Sequence, residues 1–251
     1  AMTWIDWTAY FETLPADKID YALRLEADRM RHALFPPREV ESERTVIISE
    51  RQMSENEPTA RLFEEVQAAA FRVHPYHHEV IGDMADLLSM TRDDLYGHYR
   101  QYYAPNNAIA VAVGDFDRRA MLARIQELFG GYKPMPLPEP RPRPEPEQKG
   151  ERRVTVNDEG ETAYVTFAYH APSAGDPDFH ALVALDSILG GASSFNMFGG
   201  GGTSNKSSRL YKALVQTGLA ASVSGSFGPT VDPYLYTFFA TVRAGQSSAA
   251  V

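Results

Sequence analysis

The chain has 251 residues, of which 43% are hydrophobic and 23% charged, and a formal net charge of -9. This composition suits a globular protein with a core, and the net negative charge argues against a nucleic acid partner, because phosphate binding needs a basic face. The absence of cysteine excludes disulfides and thiolate zinc sites, and no apolar run reaches the length of a membrane span.

The N-terminal residues have the pattern of a strand. Trp4, Asp6, Thr8 and Tyr10 follow the two-residue alternation of a strand. The pattern predicts one strand over residues 4–10, and no preceding segment is present to pair with it. We therefore expect the chain to open in the middle of a domain.

Residues 38–73 have the features of a helix. Two prolines precede the run, and acidic residues favour its first turns. Apolar residues recur along it, at Val40, Ile47, Phe63, Val66 and Ala70. Pro58 interrupts the pattern and predicts a break or kink.

Two glutamates, Glu43 and Glu50, stand seven residues apart in this helix. Seven residues is close to two helical turns, so both carboxylates lie on one face. Such a pair can hold a divalent metal or a proton. The alternative is a solvated face on which the glutamates meet water or a neighbouring arginine.

Three histidines near residue 75 imitate a metal site. His74 and His78 have the four-residue spacing of a zinc helix. Pro75, however, disfavours a helical conformation at His74, and His77 occupies the position of the general base. We interpret this segment as structural.

A glycine-rich run at residues 190–203 imitates a phosphate loop. A Walker motif requires lysine directly after its last glycine, whereas three residues separate Gly202 from Lys206. We predict a loose loop that leads into a helix over residues 207–216, because glycine runs lose much backbone entropy on ordering.

Proline occupies every second position from Pro134 to Pro146, which enforces an extended, semi-rigid chain. We interpret residues 134–150 as a linker, with a docking site for a proline-recognising module as the alternative. The linker separates residues 1–133 from residues 151–251. In the second part we predict strands at 152–156, 162–169 and 234–242 and a helix at 178–189. The two parts repeat their strand and helix content, which predicts an α+β protein of two related domains.

Several short segments occur in a fixed order along the chain. They are Leu23–Met30, Glu43-Arg44 with Glu50, His74-Pro75-Tyr76, Ile81-Gly82, Tyr102–Ala108, Val111–Phe116 and Ser208–Tyr211. Together they resemble the pitrilysin/insulinase family of zinc metallopeptidases, which includes mitochondrial processing peptidase. The resemblance implies a clam-like architecture, in which related domains face each other around an enclosed chamber.

In that family an inverted H-x-x-E-H helix supplies two imidazoles and a general-base glutamate, and a downstream glutamate completes the zinc site. By its place in the motif, Glu50 matches the downstream ligand, and Glu43 matches an additional acid that supports catalysis. No H-x-x-E-H occurs in the 251 residues. We therefore expect a piece of a longer enzyme, with both domains incomplete, that is inactive by itself and binds zinc weakly or not at all.

The chain departs from the family pattern at two positions. Many members carry an arginine and, seven residues later, a tyrosine that bind the substrate main chain. Aligned on Gly218-Leu219-Ala220, these positions are Leu214 and Ala221, and neither side chain can donate a hydrogen bond. Because some bacterial relatives divide these roles between two subunits, the resemblance implies a homologous partner that supplies the pair.

The resemblance thus implies a subunit of a zinc endopeptidase that cleaves peptides or unfolded polypeptides by metal-assisted hydrolysis. We expect the substrate to add as a strand to a sheet edge that begins near Ala1, Met2 and Thr3. The alternative is a non-catalytic assembly subunit of the same fold. Retention of Glu43 and Glu50 argues against it, because a dead site has no chemical need for either.

Overall fold

The computed structural model describes residues 1–139, 143–191 and 206–251, which form helices and short strands, as predicted for an α+β protein. The α-helices of these residues are α1 (Ile19–His32), α2 (Pro37–Glu55), α3 (Ala60–Ala70), α4 (Met84–Ser89), α5 (Arg92–Tyr102), α6 (Arg118–Phe129) and α7 (Phe179–Leu189). The strands are β1 (Met2–Thr3), β2 (Thr8–Ala9), β3 (Tyr164–Ala171), β4 (Ala220–Ser226) and β5 (Tyr234–Val242).

The chain divides into two compact units, described separately below. Unit 1 comprises residues 1–51 and 81–142, and unit 2 comprises residues 52–80 and 143–251. The division of the chain into homologous domains around a linker at 134–150 stays a prediction.

Unit 1 opens with a hairpin. In β1 and β2, Met2 lies opposite Ala9 and Thr3 opposite Thr8. The amide of Trp4 donates to the carbonyl of Trp7 at 2.8 Å and closes the turn between the strands. The prediction of one strand over residues 4–10 is therefore wrong, because a short antiparallel hairpin satisfies these backbone groups locally.

Tyrosine hydroxyls hold the C-terminal half of α1 in unit 1. The hydroxyl of Tyr99 donates to the carbonyl of Arg29 at 2.8 Å and accepts from the amide of Ala33 at 3.2 Å. The hydroxyl of Tyr132 donates to the carbonyl of Ala27 at 2.7 Å. The Tyr99 bonds satisfy the carbonyl of Arg29 and the amide of Ala33 at the end of the helix, and Tyr132 adds a bond to a carbonyl inside it.

The predicted break near Pro58 is present. Helix α2 ends at Glu55 and α3 begins at Ala60, with Pro58 in the connection between them. His74, beyond α3, is extended at φ -66° and ψ 140°, as expected for a residue before proline.

Unit 2 is built on an antiparallel sheet of order β3-β5-β4. Because β5 is paired on both edges, its apolar run is buried in the middle of the sheet. Phe239 of β5 packs on Phe63 of α3 with ring centroids 5.3 Å apart. On the opposite face, the hydroxyl of Tyr236 donates to Asp186 of α7 at 3.0 Å. The two helices therefore cover different faces of the sheet.

The sequence predictions in unit 2 meet different outcomes. The helix at 178–189 and the strand at 234–242 are confirmed, whereas residues 152–156 form no strand. The predicted helix at 207–216 is present over residues 209–215, of which Tyr211–Val215 are π-helical. Most of the glycine-rich run, residues 192–205, lies outside the described residues.

Candidate functional site

The carboxylates of Glu43 and Glu50 lie on an exposed face of α2. Their seven-residue spacing corresponds to about 10 Å along the helix axis, with both side chains on one side. Within the described residues, neither carboxylate has a hydrogen bond or an ion pair. Both are therefore free to accept a ligand.

Arg44 fixes the helix that carries these glutamates. Its guanidinium donates to the carbonyls of Leu87 and Leu88 at 3.3 and 3.0 Å and to that of Met90. These carbonyls lie at the C-terminal end of α4, where a cation is favoured by the helix dipole. Val40, one turn before Arg44, is also buried. This face docks α2 and leaves the Glu43 and Glu50 face outward.

A complete metal site is not present in the part of the chain that the structure describes. No group of three or more His, Cys, Asp or Glu side chains there could hold a metal ion. A catalytic zinc ion takes three protein ligands, and Glu50 fits one of them. The described residues alone therefore do not fit zinc, and the assignments of Glu43 and Glu50 stay predictions.

The predicted substrate-binding residues, Ala1, Met2 and Thr3, lie at the first strand of the hairpin. One edge of β1 is paired with β2, and the hydroxyls of Thr3 and Thr8 lie 3.1 Å apart. The sheet has two strands, so the second edge of β1 has no strand partner among the described residues. The geometry leaves an edge to which an extended peptide can add.

A half-buried carboxyl pair in unit 1 was missed by sequence reasoning. Burial, and then a hydrogen bond with Glu12, raises the pKa of Glu26 to about 7, while the charge of Arg29 opposes the rise. The guanidinium of Arg29 lies 3.1 Å from Glu26 and 3.4 Å from Glu12, and it stacks over the ring of Tyr10 at 4.4 Å. The spacing of residues in the sequence does not indicate that Glu12 contacts α1.

The two positions that depart from the family pattern lie in unit 2. Leu214 is half-buried in the π-helical turn, and Ala221 is exposed in β4. The register of β4 against β5 shifts between Ala220 and Ser222, so Ala221 occupies a bulge. A bulge can change the direction of a side chain, but the methyl group of Ala221 cannot form a hydrogen bond in any direction.

His74 is structural, as predicted. Its ring is buried, accepts a hydrogen bond from the amide of Tyr76 and contacts Asp232 at 3.3 Å. Phe71 packs beside it with ring centroids 5.9 Å apart. These contacts use both ring nitrogens, which leaves neither free for a metal.

Two family models match consecutive parts of the chain. The model described as "Insulinase (Peptidase family M16)" matches residues 1–84, and the model described as "Peptidase M16 inactive domain" matches residues 89–251. The chain belongs to peptidase family M16. Glu43 and Glu50 fall in the first match, whereas Leu214 and Ala221 fall in the inactive-domain match.

Named relatives of this M16 chain include zinc proteases. It is 31% identical over 194 residues to "Zinc protease PqqE" of Helicobacter pylori, covering 76% of this chain and 44% of the relative. The crystal structure of a protease from Helicobacter pylori superposes with a TM-score of 0.83 at 28% identity, covering 93% of this chain and 55% of that one. The chain thus spans about half the length of these relatives.

A further relative is a named subunit. The probable mitochondrial-processing peptidase subunit beta of Arabidopsis thaliana is 24% identical over 246 residues, which is 97% of this chain and 46% of that protein.

In the described part of the M16 chain, no helix combines the length and apolarity needed to cross a membrane.

Proposed function

We propose that this chain is part of a zinc-dependent endopeptidase, in which Glu50 is a metal ligand and Glu43 a supporting acid. The observation that carries the proposal is the exposed face of α2, where both carboxylates lack partners among the described residues. Membership of family M16 and relatives named zinc proteases support it.

The imidazole ligands and the general base of the family motif do not occur in these 251 residues. The proposal therefore assigns them to polypeptide outside this sequence. The chain's own contribution is the rigid placement of Glu50, since Arg44 docks α2 on the end of α4 through backbone carbonyls. A ligand held by packed neighbours keeps the geometry that a metal site needs.

The substrate is proposed to be a peptide or an unfolded polypeptide, which adds as a strand to the second edge of β1 near Ala1, Met2 and Thr3. Main-chain hydrogen bonds of this kind give affinity with little sequence selectivity. Cleavage inside an enclosed chamber, as the family architecture implies, would restrict substrates to extended chains.

Glutamine variants of the whole gene product test the site. Glu50→Gln is expected to remove most zinc and peptide hydrolysis, whereas Glu43→Gln is expected to lower kcat with zinc retained. Glu39→Gln, an exposed glutamate of the same helix, is the matched control. Zinc content by metal analysis and hydrolysis of an unstructured peptide are measured on all three. Unchanged hydrolysis in Glu50→Gln would falsify the assignment.

A homologous partner subunit is proposed to supply the arginine and tyrosine that Leu214 and Ala221 replace. Loss of one donor of this type lowers the rate about 100- to 1000-fold, so the zinc-bearing subunit alone should be slow. The whole gene product is assayed alone and with a homologous subunit from the same organism. Equal rates with and without the partner would remove this part of the proposal.

A non-catalytic assembly role of the same fold is the second candidate. The inactive-domain match of residues 89–251 is compatible with both candidates, because relatives named zinc proteases align across the same residues. The two candidates differ at residues 1–84, which match the insulinase model and contain both glutamates. An assembly subunit would tolerate Glu50→Gln without change in zinc content. The metal analysis above therefore separates the two functions.

A further inference from the structure

Three consecutive backbone amides in unit 2 converge on one carboxylate oxygen. The amides of Arg72, Val73 and His74 donate to Oε2 of Glu145 at 2.8, 2.9 and 3.2 Å. These residues follow the end of α3, so the amides are not bonded within the helix. Successive amides directed at one point form a concave anion-binding nest.

The carboxylate of Glu145 lies inside this nest. Its second oxygen, Oε1, is buried and has no hydrogen-bond partner within the described residues. Burial would raise the pKa of Glu145, but the amides of Val73, Arg72 and His74, followed by the charge of Arg152, hold it below its usual value. The ionised form is therefore the one that the nest binds.

Arg152 binds the other backbone groups at the same helix end. Its guanidinium donates to the carbonyls of Ala69 and Ala70 at 2.5 and 3.0 Å. A cation is favoured beside the last carbonyls of a helix, just as an anion is favoured beside free amides. Arg152 thus anchors the start of the segment 152–156, which was predicted as a strand and forms none.

We propose that the amides of residues 72–74 form a carboxylate-binding site and that Glu145 is its built-in ligand. The site fixes the C-terminal end of the proline-rich segment to the end of α3. Pro144 and Pro146 flank the ligand, which limits the backbone freedom lost when Glu145 is seated. The C-terminal end of the segment is therefore held against the end of α3.

Hydrogen exchange on the 251-residue chain tests the contact directly. Glu145→Ala is expected to speed exchange of the amides of residues 72–74 by about tenfold or more, because they lose their acceptor. Glu145→Gln should give an intermediate rate, since an amide oxygen still accepts. Glu147→Ala, two residues away and exposed, is the matched control. Equal rates in Glu145→Ala and Glu147→Ala would overturn the proposal.

Adding a free carboxylate to Glu145→Ala distinguishes the loss of a carboxylate-binding site from a general loosening of the proline-rich segment. Sodium acetate added to Glu145→Ala is expected to slow exchange of the same amides relative to sodium chloride at equal ionic strength. The unsubstituted chain should show no such difference, because its nest is filled. If acetate protects no better than chloride, the amides do not form a carboxylate site. Circular dichroism of Glu145→Gln and Glu145→Ala verifies that both variants are folded.

Discussion

The carboxyl of Glu26 should make unit 1 less stable as the pH rises from 5 to 8. The pKa of Glu26 in the folded protein is about 7, above its ordinary 4.5. A carboxyl with a raised folded pKa stabilises the fold fully below its unfolded pKa, and this stabilisation is lost as the pH rises through the folded pKa. The pH window is therefore about 4.5 to 7.

The magnitude follows from the size of the shift and the exposure of the side chain. A rise from 4.5 to about 7 corresponds to at most about 3 kcal/mol. The side chain of Glu26 is 28% exposed, so solvent screening reduces the effect to about 1–2 kcal/mol.

Urea unfolding of the unsubstituted chain and of Glu26→Gln at pH 5, 6, 7 and 8 measures this effect. Glutamine mimics the protonated carboxyl, so the variant should lose the part of the pH dependence that Glu26 contributes. Glu57→Gln, an exposed glutamate, serves as control and should leave the dependence unchanged. Parallel stability curves for the unsubstituted chain and Glu26→Gln would refute the reasoning.

Three further outcomes are expected. Phe71→Ala should lower the free energy of unfolding by about 3–5 kcal/mol in urea melts, because the ring is 2% exposed and stacks on Tyr234 at 5.7 Å. Arg44→Ala should destabilise the chain by about 2 kcal/mol and Arg44→Lys by less, because the guanidinium binds carbonyls at the end of α4. Val111→Lys should raise the solubility limit measured by light scattering, since Val111 is 80% exposed within an apolar run.

Local signals in the sequence predicted the elements that depend on neighbours in the chain. Pro58 marked the break between α2 and α3 because proline removes a helical donor. The apolar run of β5 marked a buried strand, which the sheet places between two partners. The seven-residue spacing placed Glu43 and Glu50 on one face from helical geometry alone.

Contacts between distant parts of the chain could not be predicted in the same way. Glu145 and the amides of residues 72–74 are more than seventy positions apart in the chain. In the sequence, an isolated glutamate between prolines is typical of a solvated linker. Segment 152–156 has the composition of a strand, yet Arg152 binds the end of α3 and no strand forms. Each outcome depends on which backbone groups another element leaves unsatisfied.

The number of possible metal ligands in the 251-residue chain predicts its zinc content. In the proposed assignment Glu50 alone is a zinc ligand and Glu43 is a supporting acid, and no group of three or more His, Cys, Asp or Glu side chains among the described residues could hold a metal ion. Residues 140–142 and 192–205, which the structure does not describe, contain no His, Cys, Asp or Glu. Glu50 is thus a single ligand where a catalytic site takes three. We expect no stoichiometric zinc after dialysis against a mild chelator, and the same trace content in Glu50→Gln. Stoichiometric zinc that survives dialysis would mean that the chain assembles a site of its own, and Glu50 would then have to be reassigned.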